Sequence, residues 1–319
     1  MIEKRLNILR QVFPDYIFQE AKDEFITWCP NKGDGGCNGN HHKQKLQINL
    51  EKNVFDCWVC GYSGFITRLI HDHFPSKLKT EYIKTLPDLK DQVEEPETRL
   101  ELPGCAVFLL DALDDYRAVN SLRWLREETG ASDETLYFNK VMFCPRGDYA
   151  GRILFPSFDK SGDLNFFQTR DVRRTDGMKY INSPTPIRNV VYNEIMIDWN
   201  SPIILVESIK SVLSHYDIPN IVPILGTRFT KRYKIFRDSV LNDLKVVYLA
   251  LDPEAKDKAY EIMNIYNSFG IEARLVNWSS KVQPDNIATE DFVDNLFDYS
   301  LYSRKDFLYS KVEKIRKTL

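Results

Sequence analysis

The sequence of 319 residues has no apolar run near the roughly 20 residues that a membrane-spanning helix requires. Its N-terminus is too charged, and its apolar part too short, for a secretory signal. The net charge is only −3, so the chain is not uniformly basic, although local clusters rather than the total decide nucleic-acid binding. No internal repeat is found. We therefore expect a globular protein of the cytoplasm with no membrane partner.

Cysteine is scarce, with six residues, but four of the six fall between positions 29 and 60. In a cytoplasmic chain, clustered cysteines favour a metal site over disulfides. The remaining two, Cys105 and Cys144, stand in apolar segments, and we expect both to be buried.

The four clustered cysteines form two pairs that could surround one ion. They are Cys29, Cys37, Cys57 and Cys60. Zinc prefers four soft ligands in a tetrahedron, and the second pair, in "VFDCWVCGYSGF", has the spacing of a zinc knuckle. The first pair is irregular, so His41 and His42 are alternatives to its second member. A redox pair is disfavoured because no βαβ pattern surrounds it.

Basic and aromatic residues accompany the cysteines. Three lysines lie between the two cysteine pairs: Lys43, Lys45 and Lys52. Trp58 lies between the last two candidate ligands. This mixture suits single-stranded nucleic acid, whose bases stack on aromatic rings. Trp58 could equally belong to the core, so the sequence leaves both interpretations open.

Changes in composition divide the chain into segments. We predict a cysteine-containing unit at 1–74, a charged and Pro-rich linker at 75–103 with one short helix near Lys79–Lys84, a mixed α+β unit at 104–200, a parallel α/β unit at 201–285 and a helical tail at 286–319. "GRILFPSFDKSGDLNFFQTRD" predicts a β-hairpin in the second unit. The fold class is therefore α/β, or α+β when the whole chain is considered.

Acidic residues follow two strands of the predicted parallel sheet. Short apolar runs alternate with amphipathic helices from Pro202 onwards, which indicates such a sheet. Glu207 follows "PIILV", and Asp252 and Glu254 follow "KVVYLAL". Ligands bind outside the carboxyl ends of parallel strands, and hard oxygen ligands favour Mg²⁺ or Mn²⁺. One such acid alone would more often cap a helix, but three together favour a metal site.

Three segments resemble replicative primases of bacteria and phages. "ILVESIKSVL" and "VYLALDPEAKDKA" resemble the Glu strand and the Asp-x-Asp strand of TOPRIM domains, which primases and topoisomerases share. "GRILFP…KYINSP" resembles the segment that precedes TOPRIM in these primases, and "WCPNKGDGGC…CWVCGYSGF" resembles their N-terminal zinc ribbon. The segments occur in the family's order over most of residues 25–285. The small size of the chain and its Asp-Pro-Glu sequence at 252–254 resemble the phage branch of the family, in which primase and helicase are separate proteins. A phage-encoded chain would work in the cytoplasm of the host cell.

The resemblance implies a function and a set of site residues. It implies a DNA primase, which is a DNA-directed RNA polymerase that makes short RNA primers de novo on single-stranded DNA from ribonucleoside triphosphates during replication. One zinc ion would be structural, two Mg²⁺ or Mn²⁺ ions would be held by Glu207, Asp252 and Glu254, and Asp285 would be a further possible ligand. The residues implied to face nucleotide and template are Arg170, Lys179, Asn182 and Arg228. A replicative helicase is the implied partner, by analogy alone.

The chain departs from the family pattern at several positions. Ser208 replaces the usual Gly after the first Glu, and Lys210 and Ser211 stand where an Asp often follows. Pro253 replaces a Gly, and Glu254 replaces the second Asp while keeping a carboxylate. We interpret these changes as variation between branches of the family.

Other proteins with TOPRIM domains fit the sequence less well. A type IA topoisomerase needs a large extra domain with a tyrosine nucleophile, and a nuclease of the overcoming-lysogenisation type needs an ATPase with GxxxxGK[ST], which this sequence lacks. The alternative from a different class is a non-catalytic DNA-binding module with TOPRIM and zinc, similar to a recombination mediator. That alternative leaves the "GRILFP…KYINSP" segment unexplained.

Overall fold

The protein is built on three five-stranded sheets that follow one another along the chain. The computed structural model describes residues 2–31, 37, 44–86, 99–173, 178–226, 229–278 and 284–301. This architecture confirms the predicted mixed α+β class. None of the helices in these ranges is long and apolar enough to cross a membrane.

The first sheet is an antiparallel meander that carries the cysteines. Its strands are β1 (Tyr16–Gln19), β2 (Glu24–Thr27), β3 (Leu46–Asn49), β4 (Val54–Cys57) and β5 (Ser63–Phe65). Helix α1 (Ile2–Val12) precedes the sheet, and helices α2 (Ile66–His73) and α3 (Ser76–Ile83) follow it. Phe25, Ile48 and Phe55 are buried on one face, as the period of two in a half-buried strand requires.

The second sheet is also antiparallel and contains the predicted hairpin. Its strands are β6 (Val107–Phe108), β7 (Met142–Cys144), β8 (Arg152–Phe158), β9 (Leu164–Arg170) and β10 (Tyr180–Asn182), and its helices are α4 (Tyr116–Thr129) and α5 (Asp133–Phe138). The hairpin is formed by β8 and β9. Helix α4 ends at Gly130, whose φ of 65° suits a left-handed C-cap. Cys144 is buried as predicted, whereas Cys105 is only partly buried.

The third sheet is the predicted parallel sheet, in the order β12-β11-β13-β14-β15. Its strands are β11 (Ile203–Val206), β12 (Ile221–Pro223), β13 (Val246–Leu249), β14 (Glu272–Val276) and β15 (Tyr299–Leu301), and its helices are α6 (Ile209–Ser214), α7 (Lys234–Leu241), α8 (Lys256–Asn267) and α9 (Thr289–Phe297). The first four strands are parallel. Their carboxyl ends therefore lie at one edge of the sheet.

Two segments differ from their predicted assignments. After α9, strand β15 pairs antiparallel with β14, so residues up to 301 extend the sheet rather than form a wholly helical tail from 286. The predicted linker at 75–103 begins with α3, and Tyr82 and Ile83 of that helix are buried. Residues 87–98 and 302–319 lie outside the described residues.

The first and third sheets share one hydrophobic core. Helices α2 and α3 pack against the side of the third sheet that is covered by α7 and α8. The Thr67 hydroxyl donates a hydrogen bond of 2.8 Å to the Ser268 carbonyl, and Lys79 forms an ion pair with Asp243. The cysteine-containing unit is therefore packed onto the third sheet's layer of helices in this structure.

Candidate metal and nucleotide site

The four predicted cysteine ligands lie together at one end of the first sheet. Their Sγ atoms are all within 4.8 Å of one another, and the pairs Cys29–Cys60 and Cys37–Cys57 are separated by 3.8 Å and 3.6 Å. A tetrahedron with Zn–S bonds near 2.3 Å has edges of about 3.8 Å, so the cluster fits a zinc ion. The two contacts join cysteines that are 31 and 20 positions apart in the sequence. His42 lies outside the described residues.

The thiols are held in a poorly solvated environment. Burial raises the pKa of Cys37 to about 11 and also raises that of Cys29, whereas hydrogen bonds from the backbone N–H groups of Cys60 and Val59 lower that of Cys57 despite its burial. Four thiols in such an environment do not ionise together without a cation, because burial and mutual repulsion disfavour the thiolates. A zinc ion would supply the charge that makes them thiolates.

Trp58 lies on the surface beside this cluster. The side chain is 72% exposed, and its indole N–H donates a hydrogen bond of 2.7 Å to Gln47 Oε1. The neighbouring strand β4 buries Phe55 instead. The interpretation of Trp58 as a core residue is therefore wrong, and its ring face is available to a ligand.

The predicted acids lie beyond the carboxyl ends of adjacent strands. Glu207 directly follows β11, and Asp252 lies three residues beyond β13, at the start of a short 3₁₀ turn. The Asp252 side chain makes no capping hydrogen bond, so the helix-cap alternative is not what the structure shows. Asp285 occupies a 3₁₀ turn before α9, and Glu254 is exposed.

The acids interact electrostatically. Burial raises the pKa of Asp252 to about 6, helped by the negative charges of Glu207, Asp285 and Glu254. Among the described residues, only the four cysteines form a group of ligands already close enough to hold a metal ion, so the acids are not preassembled around an ion in the same way. Hard oxygen ligands that repel one another fit divalent cations such as Mg²⁺.

Two lysines lie among these carboxylates. Lys258 Nζ is 3.4 Å from Glu207 Oε1 and donates a hydrogen bond of 2.6 Å to the Gly226 carbonyl. Lys210 Nζ is 2.8 Å from Asp285 Oδ2. The sequence indicates neither lysine as part of the site, although Lys210 departs from the pattern of the primase family.

The basic side of the site is centred on Arg170 at the end of β9. Its guanidinium carbon lies 4.8 Å from the centre of the Trp124 ring and 4.5 Å from that of Tyr180. The residue is 8% exposed, and its Nε and Nη1 atoms have no hydrogen-bond partner among the described residues. Burial lowers its pKa, but a guanidinium stays charged. A charged guanidinium whose donors are not all used has the chemistry to bind an anion.

Lys179 is close to Arg170, whose positive charge lowers the Lys179 pKa. Arg152, which was not predicted, is buried and donates hydrogen bonds to the carbonyls of Met178 (2.5 Å) and Lys179 (3.4 Å). It therefore fixes the backbone that carries Lys179. Asn182 is on β10, where its Oδ1 accepts a hydrogen bond of 2.9 Å from Gln168. Arg228, also predicted, lies outside the described residues.

The basic and acidic halves of the site are adjacent. The charge of Lys210 acts on Lys179 and lowers its pKa, while the charge of Asp285 acts on Asp252. Lys210 contacts both Asp285 of the third sheet's unit and Glu128 on α4 of the second sheet's unit, so the two units meet across one continuous group of charges. Such a site can bind cations and a polyanion side by side.

The fold is similar to that of bacterial primases. The zinc-binding and RNA polymerase domains of the Aquifex aeolicus primase match 98% of this chain and 89% of that structure, with a TM-score of 0.52 and 16% identity. The catalytic core of the Escherichia coli primase matches 63% of the chain and 79% of that structure, with a TM-score of 0.51 and 18% identity. A DnaG primase catalytic domain bound to single-stranded DNA matches 63% and 78%, with a TM-score of 0.51 and 20% identity.

A relative found by sequence is also named as a primase. The DNA primase of Mycoplasma pneumoniae is 27% identical over 146 residues, which are 43% of this chain. The match spans about a quarter of that protein, 24% of its length. No family model matches the chain. The resemblance to bacterial-type DNA primases is therefore confirmed by fold and by a sequence relative, while the phage branch stays a prediction.

Proposed function

We propose that this chain is a DNA primase that synthesises short RNA primers de novo on single-stranded DNA. The observation that carries this proposal is the adjacency of two charge groups in a primase fold: the acids beyond β11 and β13, and the buried Arg170 with Lys179. Phosphoryl transfer from a nucleoside triphosphate needs both a cation site and an anion site at one place.

The residues have separate tasks in this proposal. Glu207, Asp252 and Glu254 would hold two Mg²⁺ or Mn²⁺ ions, which would supply charge neutralisation and activate the attacking 3′-hydroxyl. The unused donors of Arg170 would bind phosphate oxygens of the triphosphate or the template. Lys179 and Arg228 would add charge, and the orientation that they impose lowers the entropic cost of bringing two nucleotides together.

The cysteine-containing unit would contact the template. We propose that Cys29, Cys37, Cys57 and Cys60 hold one zinc ion and that Trp58 stacks on a base. A second contact with the template helps initiation, because two nucleotides must be held without a preformed duplex. Metal analysis should find one zinc per chain.

A primer-synthesis assay tests the proposal. Wild-type protein, Mg²⁺ and labelled ribonucleoside triphosphates should yield short RNA on single-stranded DNA. Asp252→Asn should lower this yield at least a hundredfold, because it removes a charged metal ligand. The matched control is Asp257→Asn, an equivalent change at an exposed position in the first turn of α8, which should leave synthesis unchanged.

The same assay separates the alternative. Wild-type protein that binds single-stranded DNA but makes no RNA on a wide set of template sequences would indicate a non-catalytic binding module. Primer synthesis that survives Asp252→Asn would remove the acids from the mechanism. We further propose a replicative helicase as partner and a cytoplasmic location, that of the host if a phage encodes the chain.

A further inference from the structure

Lys210 joins the two halves of the site. It lies in the first turn of α6, and its Nζ is 2.8 Å from Glu128 Oε2 on α4 and 2.8 Å from Asp285 Oδ2. Glu128 belongs to the second sheet's helices and Asp285 to the third sheet's unit. One ammonium therefore serves two carboxylates that are distant in sequence.

Asp285 depends on this contact. Its side chain is only 10% exposed, and a carboxylate with so little solvent around it needs a cation or several donors. Glu128 is 39% exposed and can be solvated without Lys210. The bridge is therefore more important for Asp285 than for Glu128.

We propose that Lys210 is a resident cation at Asp285, in the place where a divalent ion would otherwise bind. This inference rests on the proposed primase function. It makes Lys210 a positioning residue and confines the divalent ions to Glu207, Asp252 and Glu254. An ammonium held by the fold is always present beside its partner, so it competes with dissolved Mg²⁺ at a high effective concentration.

Removing the ammonium should expose a new ligand. In Lys210→Met, Asp285 keeps its place near Asp252 but loses its counter-charge, so a dissolved divalent ion can take it. In Glu128→Gln, Lys210 still neutralises Asp285, so no ligand is released. Both variants break the Lys210–Glu128 ion pair, but only Lys210→Met also removes the positive charge beside Asp285. Only Lys210→Met should therefore change the number of bound divalent ions.

The experiment counts Mn²⁺ ions on the full chain by electron paramagnetic resonance, without DNA or nucleotides. We expect Lys210→Met and Lys210→Gln to bind one Mn²⁺ more per chain than the wild type. The additional ion should be lost in Lys210→Met/Asp285→Asn. Glu128→Gln and Lys160→Met, a lysine removal in the exposed β8–β9 turn, should bind the wild-type number.

Two results would overturn the proposal. One is an unchanged Mn²⁺ number in both folded Lys210 variants, with zinc content and circular dichroism confirming the fold. The other is an additional ion that persists after Asp285→Asn. The number of bound Mn²⁺ ions is measured without primer synthesis, so the two proposals can fail separately. A wild type that makes no RNA would refute the proposed function, whereas the Mn²⁺ numbers alone decide the role of Lys210.

Discussion

At the scale of single residues, Asp252 and the neighbouring acids repel one another, and a bound cation would reduce this repulsion. Burial and the neighbouring acids raise the pKa of Asp252 from 3.8 to about 6. Because the folded-state pKa is the higher one, the folded protein binds this proton more tightly than the unfolded chain does. The contribution of Asp252 to stability is therefore fully present below pH 4 and is lost as the pH rises through 6.

Asp252→Asn should avoid this loss of stability at high pH, and metal-free buffer makes the difference measurable. An amide mimics the protonated acid, so the variant should be more stable than the wild type above pH 6 by about 1–2 kcal/mol, a value reduced for partial solvent screening. The two proteins should have equal stability below pH 4. Urea unfolding with a chelator between pH 4 and pH 8 measures the difference. A constant difference at every pH would contradict this assignment.

Trp58 should contribute to binding rather than to stability. Its ring is exposed, so Trp58→Ala should change the free energy of unfolding by less than about 0.5 kcal/mol. Stacking on one base contributes about 1–3 kcal/mol, so the affinity for single-stranded DNA should fall roughly tenfold or more. Fluorescence anisotropy with a labelled oligonucleotide measures the affinity.

Phe55→Ala is the matched control for Trp58. Phe55 is on β4 of the same unit and is 2% exposed, so its loss should destabilise the unit by about 3–5 kcal/mol. An unchanged DNA affinity in a folded Trp58→Ala variant would exclude the stacking role.

At the scale of elements, the packing of α2 beside the end of α8 depends on a glycine. Gly270 has a φ of 78°, and a Cβ placed there would overlap the ring of His71. Gly130, after α4, has a similar φ of 65°, but an added Cβ there would meet no heavy atom within 4 Å apart from those of its chain neighbours. The two glycines therefore separate the cost of backbone strain from the cost of a steric clash.

Gly130→Ala should cost about 1 kcal/mol, because a left-handed conformation disfavours alanine. Gly270→Ala should cost at least twice as much, because the overlap with His71 adds to the same strain. His71→Ala in the Gly270→Ala background should recover part of the loss. Thermal unfolding of the three variants and the wild type measures these differences, and equal losses in the two glycine variants would show that α2 is not held tightly there.

At the scale of the whole molecule, the cysteine-containing unit and the third sheet form one packed body. Lys231 lies over the rings of Phe65 (4.6 Å) and Phe269 (5.0 Å), which belong to different units. This contact adds to the shared hydrophobic core between the two layers. We therefore expect the two units to stay together even without the predicted linker.

Cutting the chain should leave its two pieces associated. A protease site introduced within 87–98 avoids α3, and the two products should elute together from a size-exclusion column. The change Thr67→Val removes only one hydrogen bond across the interface and should not separate them. Separation of the products of the otherwise unchanged chain at micromolar concentration would show that the linker is what joins the units.

Much of the fold was predictable because its signals are local. The β8–β9 hairpin follows from alternating apolar residues around a polar turn, and the parallel sheet follows from short apolar runs between amphipathic helices. Strand β15 was missed because three residues carry too little pattern, and only pairing with β14 defines them. Helix α3 was placed in a linker because its burial depends on distant partners.

From the sequence alone we could identify the candidate ligands of both proposed metal sites. Cysteine spacing and acids at strand ends are local features, and the chemistry of sulfur and oxygen ligands follows from residue type. Only the tertiary structure shows which positively charged side chains lie beside these ligands and how they are held. Lys210 contacts Glu128 across 82 positions in the sequence, and the Arg170 guanidinium lies over the rings of both Trp124 and Tyr180. No spacing rule predicts such contacts, because they arise only when separate elements pack together.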